Sequence, residues 1–231
     1  MKALFTHVAV EPDKSLRYYE RLGFTINSLD NAQHLISAAG ISFLLDERPF
    51  IRPGWVFYGK ETAELQAKLK QHSQLIPFEE GWLSLTTCGA WLRLVESLPP
   101  VISTHDALQD SALGSFAGWS METLDLRKSQ DFWNSLGFDL VAGDSNSSWI
   151  TMRNGNTQQI SFMKYGSCPH LFLGASLTFF NGKDNVEVIQ GLKALGIPIL
   201  QDVRVFSQGN KTENVVLQDP SGLGIFVFND E

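Results

Sequence analysis

The chain opens on an alternating strand that leads into an amphipathic helix. In HVAVEPDKSLRYYERLGF, residues 7–24, apolar and polar positions first alternate, which is typical of a strand with two different faces. Tyr18 and Tyr19, with the leucine one turn later, then form an apolar stripe at helical spacing. Asp13 is the expected N-cap of this helix, and Gly23 is well placed to end it.

A second copy of this pattern lies in the other half of the chain, at METLDLRKSQDFWNSLGF, residues 121–138. At one constant offset, which is about half of the 231-residue length, Tyr18 and Tyr19 match Phe132 and Trp133. The LGF triplet also recurs at that offset, and Ser15 matches Ser129. We interpret the chain as a duplicated half-chain.

Each half contains two related segments. Helix candidates without the LGF triplet, Glu61–His72 and Asn185–Leu195, each follow a short apolar strand and precede further strand-like runs. The pattern predicts an α+β protein of four consecutive βαβββ units. Pro99-Pro100 and the weakly periodic run after them favour a boundary. We therefore expect an N-terminal domain at 1–98, a linker at 99–113 and a C-terminal domain at 114–231.

Composition and charge narrow the classes of partner. Hydrophobic residues make up 43% of the chain and the formal net charge is −7. No run of basic residues is present, which argues against nucleic acid and anionic membrane as partners. No apolar segment is long enough to span a bilayer, and the N-terminus does not resemble a signal peptide. Cys88 and Cys168 form no disulfide or metal-binding pattern, so we expect a cytoplasmic protein with reduced thiols.

The chain resembles the vicinal oxygen chelate superfamily, which includes glyoxalase I, bleomycin-resistance proteins and extradiol dioxygenases. The resemblance rests on HVAV at 7–10, YYERLGF at 18–24 with its echo FWNSLGF, DLRKS at 125–129, and DPSGLGIFVF at 219–228. It implies that the four units form two half-open mixed-sheet barrels with the helices outside. It leaves open which units pair, and it allows a monomer or a homodimer.

The same resemblance implies metal ligands at two kinds of position, a His at the start of a unit's first strand and a Glu in its last strand. The His positions hold His7, an aromatic strand without His at 55–58, Gly118 or Met121 depending on the alignment, and Ser176. The Glu positions hold Leu44, Arg93, Gln159 and Phe226. Because one histidine does not make a tight divalent site, we expect neither a catalytic metal nor another cofactor.

The residues expected to face the cavities define the candidate ligand site. In the first half these are His7, Ala9, Glu11, Trp91 and Arg93, and in the second half Ser120, Glu122, Gln159, Ser161, Phe226 and Phe228. From these we select His7, Trp91, Arg93, Glu122 and Gln159 as ligand-binding, with Arg93 suited to an anionic group. The competing interpretations are that a backbone carbonyl satisfies His7, that Arg93 pairs with Glu11 or Glu96, and that Glu122 is solvated or salt-bridged.

Three hypotheses for function remain open at this stage, because a fold does not determine a function. The first is metal-independent binding of a small organic ligand, aromatic or anionic. The second is a lyase, isomerase or dioxygenase of the same superfamily that uses a metal or acid–base chemistry through His7 or Glu122. The third is an interaction scaffold without catalysis. Metal content, turnover and the presence of an open cavity distinguish them.

Overall fold

A computed structural model describes residues 2–29, 32–49, 51–59, 62–101, 110–155, 158–168, 174–204 and 213–230. The N-terminal half of the chain consists of β1 (Lys2–Val8), α1 (Pro12–Arg21), β2 (Thr25–Leu29), β3 (Gln33–Ala38), β4 (Ile41–Asp46), β5 (Gly54–Tyr58), α2 (Thr62–Leu69), β6 (Ile76–Phe78), β7 (Gly81–Leu85) and β8 (Trp91–Val95). These elements form two consecutive βαβββ units.

The C-terminal half repeats the same order of elements. It consists of β9 (Phe116–Thr123), α3 (Leu126–Ser135), β10 (Phe138–Gly143), β11 (Trp149–Asn154), β12 (Gln159–Lys164), β13 (Ser176–Phe180), α4 (Asn185–Ala194), β14 (Gln201–Asp202), β15 (Val215–Gln218) and β16 (Gly224–Phe228). The predicted α+β class and the four βαβββ units are therefore confirmed.

Each half folds into one open, mixed, eight-stranded sheet. The strand orders are β2-β3-β4-β1-β5-β8-β7-β6 and β10-β11-β12-β9-β13-β16-β15-β14. Units one and two join through the antiparallel pair β1 and β5, and units three and four join through β9 and β13. Within each unit the first and last strands pair in parallel. The sheets are not closed, so each half is a half-open barrel assembled from two successive units.

Each sheet has a helix face, which packs against the helices and the other half, and a cavity face on the opposite side. The helix faces of both sheets contribute to one continuous apolar core. Its centre is aromatic: the rings of Phe5 and Trp119 lie 4.0 Å apart, and those of Trp55 and Trp133 lie 5.7 Å apart. Because these pairs join residues of different halves, the two sheets stabilise each other through aromatic packing.

The starts of the two repeated helices differ in their capping. The predicted N-cap Asp13 is wrong, because α1 begins at Pro12, two residues earlier than that cap implies, with Glu11 as N-cap. Proline suits the first helical position because it has no N–H to leave unpaired. In α3, by contrast, the Asp125 side chain accepts a hydrogen bond of 2.9 Å from the Lys128 amide.

The predicted linker at 99–113 lies between the two sheets in the sequence, since β8 ends at Val95 and β9 begins at Phe116. Residues 102–109 of that linker lie outside the described residues, and the division into domains stays a prediction. Of the helices that the structure describes, none is both long and apolar enough to cross a membrane.

Candidate functional site

The cavity face of the C-terminal half surrounds a cavity of about 720 Å³. Alternation along β9, β11, β12, β13 and β16 directs every second side chain into it. Most of its wall is apolar, and small hydroxyl residues lie on the strands. Its lining residues are Ala117, Gly118, Ser120, Val141, Ala142, Trp149, Thr151, Arg153, Gln159, Ser161, Met163, Ser167, Cys168, Thr178, Phe180, Phe226 and Phe228.

Four of the hydroxyl groups in this wall form two hydrogen-bonded pairs. Ser120 Oγ lies 2.7 Å from Thr178 Oγ1, and Thr151 Oγ1 lies 2.9 Å from Ser161 Oγ. A hydroxyl has one proton to donate and two lone pairs. A pair of hydroxyl groups therefore has two protons, and the hydrogen bond between them uses one. Each pair therefore retains one donor proton, at the edge of a cavity whose other walls are mainly apolar.

Two of the strand positions where the resemblance implies metal ligands, Gly118 and Phe226, lie on the cavity face on either side of Thr178. Ser176, the implied position in unit four, lies on the same strand as Thr178, and its Oγ donates to the Ser120 carbonyl at 3.2 Å. Thr178 is in register with Gly118 on one neighbouring strand and with Phe226 on the other. These three side chains offer neither an imidazole nor a carboxylate, and the Phe226 ring is 4% exposed. In the described part of the chain, no group of three or more His, Cys, Asp or Glu residues is arranged to hold a metal ion. The residues at this position do not fit a divalent metal.

Gly118 also has a local structural reason to be glycine. Its φ of +143° lies in a region that residues with a Cβ rarely adopt, and a Cβ there would lie 2.8 Å from the Gln159 carbonyl oxygen. A histidine at this position would strain the backbone as well as crowd the neighbouring strand.

Gln159 lines the C-terminal cavity, as the sequence predicted. Its Nε2 donates to the Ala117 carbonyl at 2.7 Å, and its Oε1 accepts from Arg153 Nη2 at 2.5 Å. Arg153 also lines the cavity, at its exposed edge, and was missed by the sequence analysis, as were Thr151 and Thr178. The sequence did contain a signal for them. Thr151 and Arg153 on β11, and Thr178 on β13, alternate with apolar residues, as do the polar positions selected on β9 and β12.

Glu122 has a different environment from the one expected. It does not line the cavity, and its Oε1 accepts hydrogen bonds of 3.2 Å from the amides of Gly166 and Cys168. It is therefore neither simply solvated nor salt-bridged in the part of the chain described, but anchors the backbone after β12. Burial and, secondarily, the charge of Glu122 raise the pKa of the Cys168 thiol to about 12.

The cavity face of the N-terminal half is partly filled by its own side chains. Its apolar cluster comprises Leu4, Leu35, Leu44, Val56, Tyr58 and Val95. Two cavities remain beside this cluster, with volumes of about 780 and 410 Å³. Trp91 and Arg93, both selected from the sequence, line the smaller cavity together, and Arg93 also borders the larger one.

Arg93 is a buried cation on the cavity face, with 8% of its surface exposed. Its Nη2 donates to Thr6 Oγ1 at 2.8 Å. Burial lowers the pKa of this guanidinium, and the negative charge of Asp46 opposes that effect. Among the described residues no carboxylate lies within 4.0 Å of Arg93, so the alternative in which it pairs with Glu11 or Glu96 is wrong.

His7 lies on the opposite face of the sheet from Arg93. Its imidazole Nε2 is 3.3 Å from Asp219 Oδ1 in the C-terminal half, and the residue is 4% exposed. The expectation that His7 and Arg93 face one cavity is wrong, because Thr6, not His7, shares the cavity face with Arg93. His7 therefore does not reach the cavities described above, and a carboxylate, not a backbone carbonyl, is its partner.

Asp219 receives several further hydrogen bonds within the same contact between the halves. Its carboxylate accepts from the Tyr19 hydroxyl at 3.2 Å and from the amides of Ser221 and Leu223 at 2.9 and 2.8 Å. The DPSG turn at 219–222, which joins β15 to β16, thus attaches the C-terminal half to the junction of β1 and α1. Nothing in the sequence indicated this partner, because the two segments are far apart along the chain.

Comparisons with known proteins reveal similarity of fold. No family model and no curated protein matches the sequence. Among solved structures, homoprotocatechuate 2,3-dioxygenase from Arthrobacter globiformis matches with a TM-score of 0.60 at 16% identity, covering 98% of this chain and 78% of its own. A 2,3-dioxygenase from Pseudomonas sp. KL28 matches with a TM-score of 0.60 at 15% identity, covering 98% and 90%.

A third match is a Mn(II)-bound glyoxalase from Novosphingobium aromaticivorans, with a TM-score of 0.58 at 12% identity, covering 96% of this chain and 79% of its own. At such identities the similarity establishes the fold and leaves the chemistry open. Dioxygenases and a glyoxalase are among the proteins that the sequence motifs resemble. The chain therefore has the fold of the vicinal oxygen chelate superfamily, in its four-unit, tandem form.

Proposed function

We propose that the C-terminal half binds a small organic molecule without a divalent metal. The observation that carries this proposal is the C-terminal cavity, in which two hydroxyl pairs lie on an otherwise largely apolar wall. Its volume of about 720 Å³ is within the range of small-molecule sites. A few fixed polar groups on an apolar wall orient a ligand, and the apolar area supplies most of the affinity.

The lining residues indicate the chemistry of the ligand. Trp149, Phe180, Phe226 and Phe228 favour a flat apolar or aromatic body. The uncommitted proton of each hydroxyl pair favours an acceptor oxygen, such as that of a carbonyl, a phenol or a carboxylate. Arg153 at the exposed edge adds a donor for an anionic group.

The metal-independent form of the proposal rests on the side chains at the family's metal positions. In the C-terminal half these positions hold Gly118, Ser176, Gln159 and Phe226, which do not supply the nitrogen and carboxylate ligands that such a site needs. The acidic chain, with a formal net charge of −7, also fits a cytoplasmic protein whose partner is a small molecule and not nucleic acid.

The test is a panel of catechols, phenols and aromatic acids, measured by thermal shift and by calorimetric titration with the full chain. Thr178→Val and Thr151→Val each remove a hydroxyl with little change in volume and are expected to weaken the best ligand about fivefold to tenfold. Ser42→Ala is the matched control, since Ser42 and Ser37 form a similar hydroxyl pair, 3.0 Å apart, in the N-terminal half.

The same panel distinguishes the competing functions. Binding that survives exhaustive chelation and that both threonine variants weaken supports the proposal. Turnover of a catechol, or of a glutathione hemithioacetal, would favour an enzyme of the superfamily. If no compound shifts the melting temperature, the C-terminal half is not a binding site for this class of molecule, and the scaffold hypothesis gains.

A further inference from the structure

Arg93 has fewer partners than a buried arginine needs. A guanidinium has five N–H donors, and the described residues provide one hydrogen bond to it, from Nη2 to Thr6 Oγ1 at 2.8 Å. Burying such a cation without an opposite charge costs several kcal/mol, so it is usually paired or placed for a ligand.

The acidic side chain whose charge acts most strongly on Arg93, Asp46, already has other hydrogen-bond partners. Asp46 accepts from Arg48 through Nε at 3.0 Å and Nη2 at 2.8 Å, and from Gln33 Nε2 at 2.7 Å. The hydrogen-bonding capacity of the Asp46 carboxylate is therefore used by Arg48 and Gln33. Asp46 acts on Arg93 only through its charge, without a hydrogen bond. Arg93 is therefore the buried cation of this face that lacks a bonded carboxylate among the described residues.

The space beside Arg93 has the form of a small ligand site. The smaller N-terminal cavity, about 410 Å³, is lined by Arg93, Trp91, Leu83 and Ile51 among others. Arg93 and Trp91 are two positions apart on β8, so their side chains leave the same face roughly 7 Å apart. Leu83 is in register with Arg93 on β7 and completes an apolar wall.

The charges around this cavity select for one negative charge on a ligand. Arg48, Arg52 and Arg93 line it together with Glu79 and Glu80. The glutamates oppose a dianion, whereas a single carboxylate matches the fork of one guanidinium.

We propose that the N-terminal half contains a second ligand site, in which Arg93 binds the carboxylate of a small aromatic monocarboxylic acid whose ring packs on Trp91. This site is separate from the C-terminal cavity and does not depend on the function proposed for it. Arg93 on β8 corresponds in position to Phe226 on β16. The two duplicated halves therefore differ at this equivalent position, which holds a cation in the N-terminal half and an apolar side chain in the C-terminal half.

The experiment uses the full chain labelled with fluorotryptophan and titrated with benzoate, with ¹⁹F signals assigned by Trp91→Phe and Trp149→Phe. We expect a saturable shift of the Trp91 signal. The neutral isostere benzamide and the dianion phenyl phosphate should each bind at least about tenfold more weakly than benzoate, because they lose the charge-assisted pair or meet the glutamates. Trp149, in the C-terminal cavity, reports separately on binding there.

Arg93→Met tests the residue itself. It should abolish the Trp91 shift while the melting temperature without ligand stays equal or rises, because it removes a buried unpaired charge. If Arg93→Met does not fold, Arg93→Lys keeps the charge without the fork and should weaken benzoate about tenfold. A benzoate shift confined to Trp149, no shift at either tryptophan, unchanged binding in the folded Arg93 variant, or tighter binding of phenyl phosphate would each overturn the proposal.

Discussion

Ser15 and Ser221 are 206 positions apart in the sequence, and their side-chain oxygens lie 2.8 Å apart in the folded chain. The reciprocal contact exists at the repeat counterpart of Ser15: Ser129 Oγ lies 2.7 Å from Thr87 Oγ1. In both cases a serine in the first turn of a unit's helix meets the last hairpin turn of the other half. The duplicated halves are therefore joined by two equivalent contacts, which explains why the repeat retains this serine.

The first prediction concerns this pair of contacts. Ser15→Ala and Ser129→Ala should each lower the free energy of unfolding by about 1 kcal/mol, because each leaves a partner hydroxyl with fewer bonds. In double-mutant cycles by urea denaturation, Ser15→Ala with Ser221→Ala, and Ser129→Ala with Thr87→Val, should show coupling of about 0.5–1.5 kcal/mol. Zero coupling in both cycles would mean that the two turns touch the other half without stabilising it.

The second prediction concerns Asp219, whose buried carboxylate accepts from His7, Tyr19 and two backbone amides. Asp219→Ala should lower the free energy of unfolding by about 3–5 kcal/mol, because it leaves several buried donors unsatisfied at once. Asp125→Ala is the matched control, since it removes one helix-capping bond and should cost about 1 kcal/mol. Equal losses in the two variants, measured in urea, would refute the special role of Asp219.

The third prediction concerns metal content. Protein purified without added metal and dialysed against zinc, nickel, manganese or iron should retain less than one equivalent, because Gly118, Thr178 and Phe226 provide no suitable ligands. Elemental analysis after dialysis measures this. A variant with Ser120→His, Thr178→His and Phe226→Glu is the positive control. Tight retention of one ion per wild-type chain would overturn the prediction, most clearly if His7→Ala abolished it.

The fourth prediction concerns alkaline pH. Burial raises the pKa of Tyr58 from 10.0 to about 12, and burial together with Glu122 raises the pKa of Cys168 from 9.0 to about 12. Above pH 9 the unfolded chain therefore loses protons that the folded chain still holds, and stability falls as the pH rises. Below that pH the contribution of both groups is fully present.

Melting temperatures across this range provide the measurement. The decline between about pH 9 and 12 should be shallower in Tyr58→Phe and in Cys168→Ser than in the wild type, because each variant removes one of the groups that titrate. Tyr165→Phe is the control, since Tyr165 is a well-exposed tyrosine, with 61% of its surface accessible. A decline of equal steepness in all four proteins would show that other groups control the alkaline transition.

Local patterns were sufficient for the secondary structure and for the duplication. The alternating strand and the aromatic stripe of residues 7–24, repeated at 121–138, encode the strand and helix that open units one and three, because periodicity reports which side chains share a face. The exact start of α1 was not predictable in the same way: Asp13 has the chemistry of an N-cap, but Pro12 takes the first helical position.

The site was predictable only in part. Trp91, Arg93 and Gln159 line cavities, as the alternation of their strands suggested. Gly118 and Phe226 line the C-terminal cavity at positions where the resemblance implies metal ligands. His7 was assigned to the wrong face, because alternation divides a strand into two faces without stating which one the helices cover. The covering helices and the partner sheet decide that, through contacts that no short stretch of sequence contains.

The sequence by itself determined a chain of four βαβββ units in two duplicated halves, whose strands carry few ligands for a metal, since both properties depend on residue types at fixed local spacing. Only the tertiary structure decided that units one and two share a sheet, that His7 pairs with Asp219 across the two halves, and that Arg93 lies buried without a bonded carboxylate among the described residues. These relationships join segments that are distant along the chain, and they arise from packing, which local periodicity does not encode.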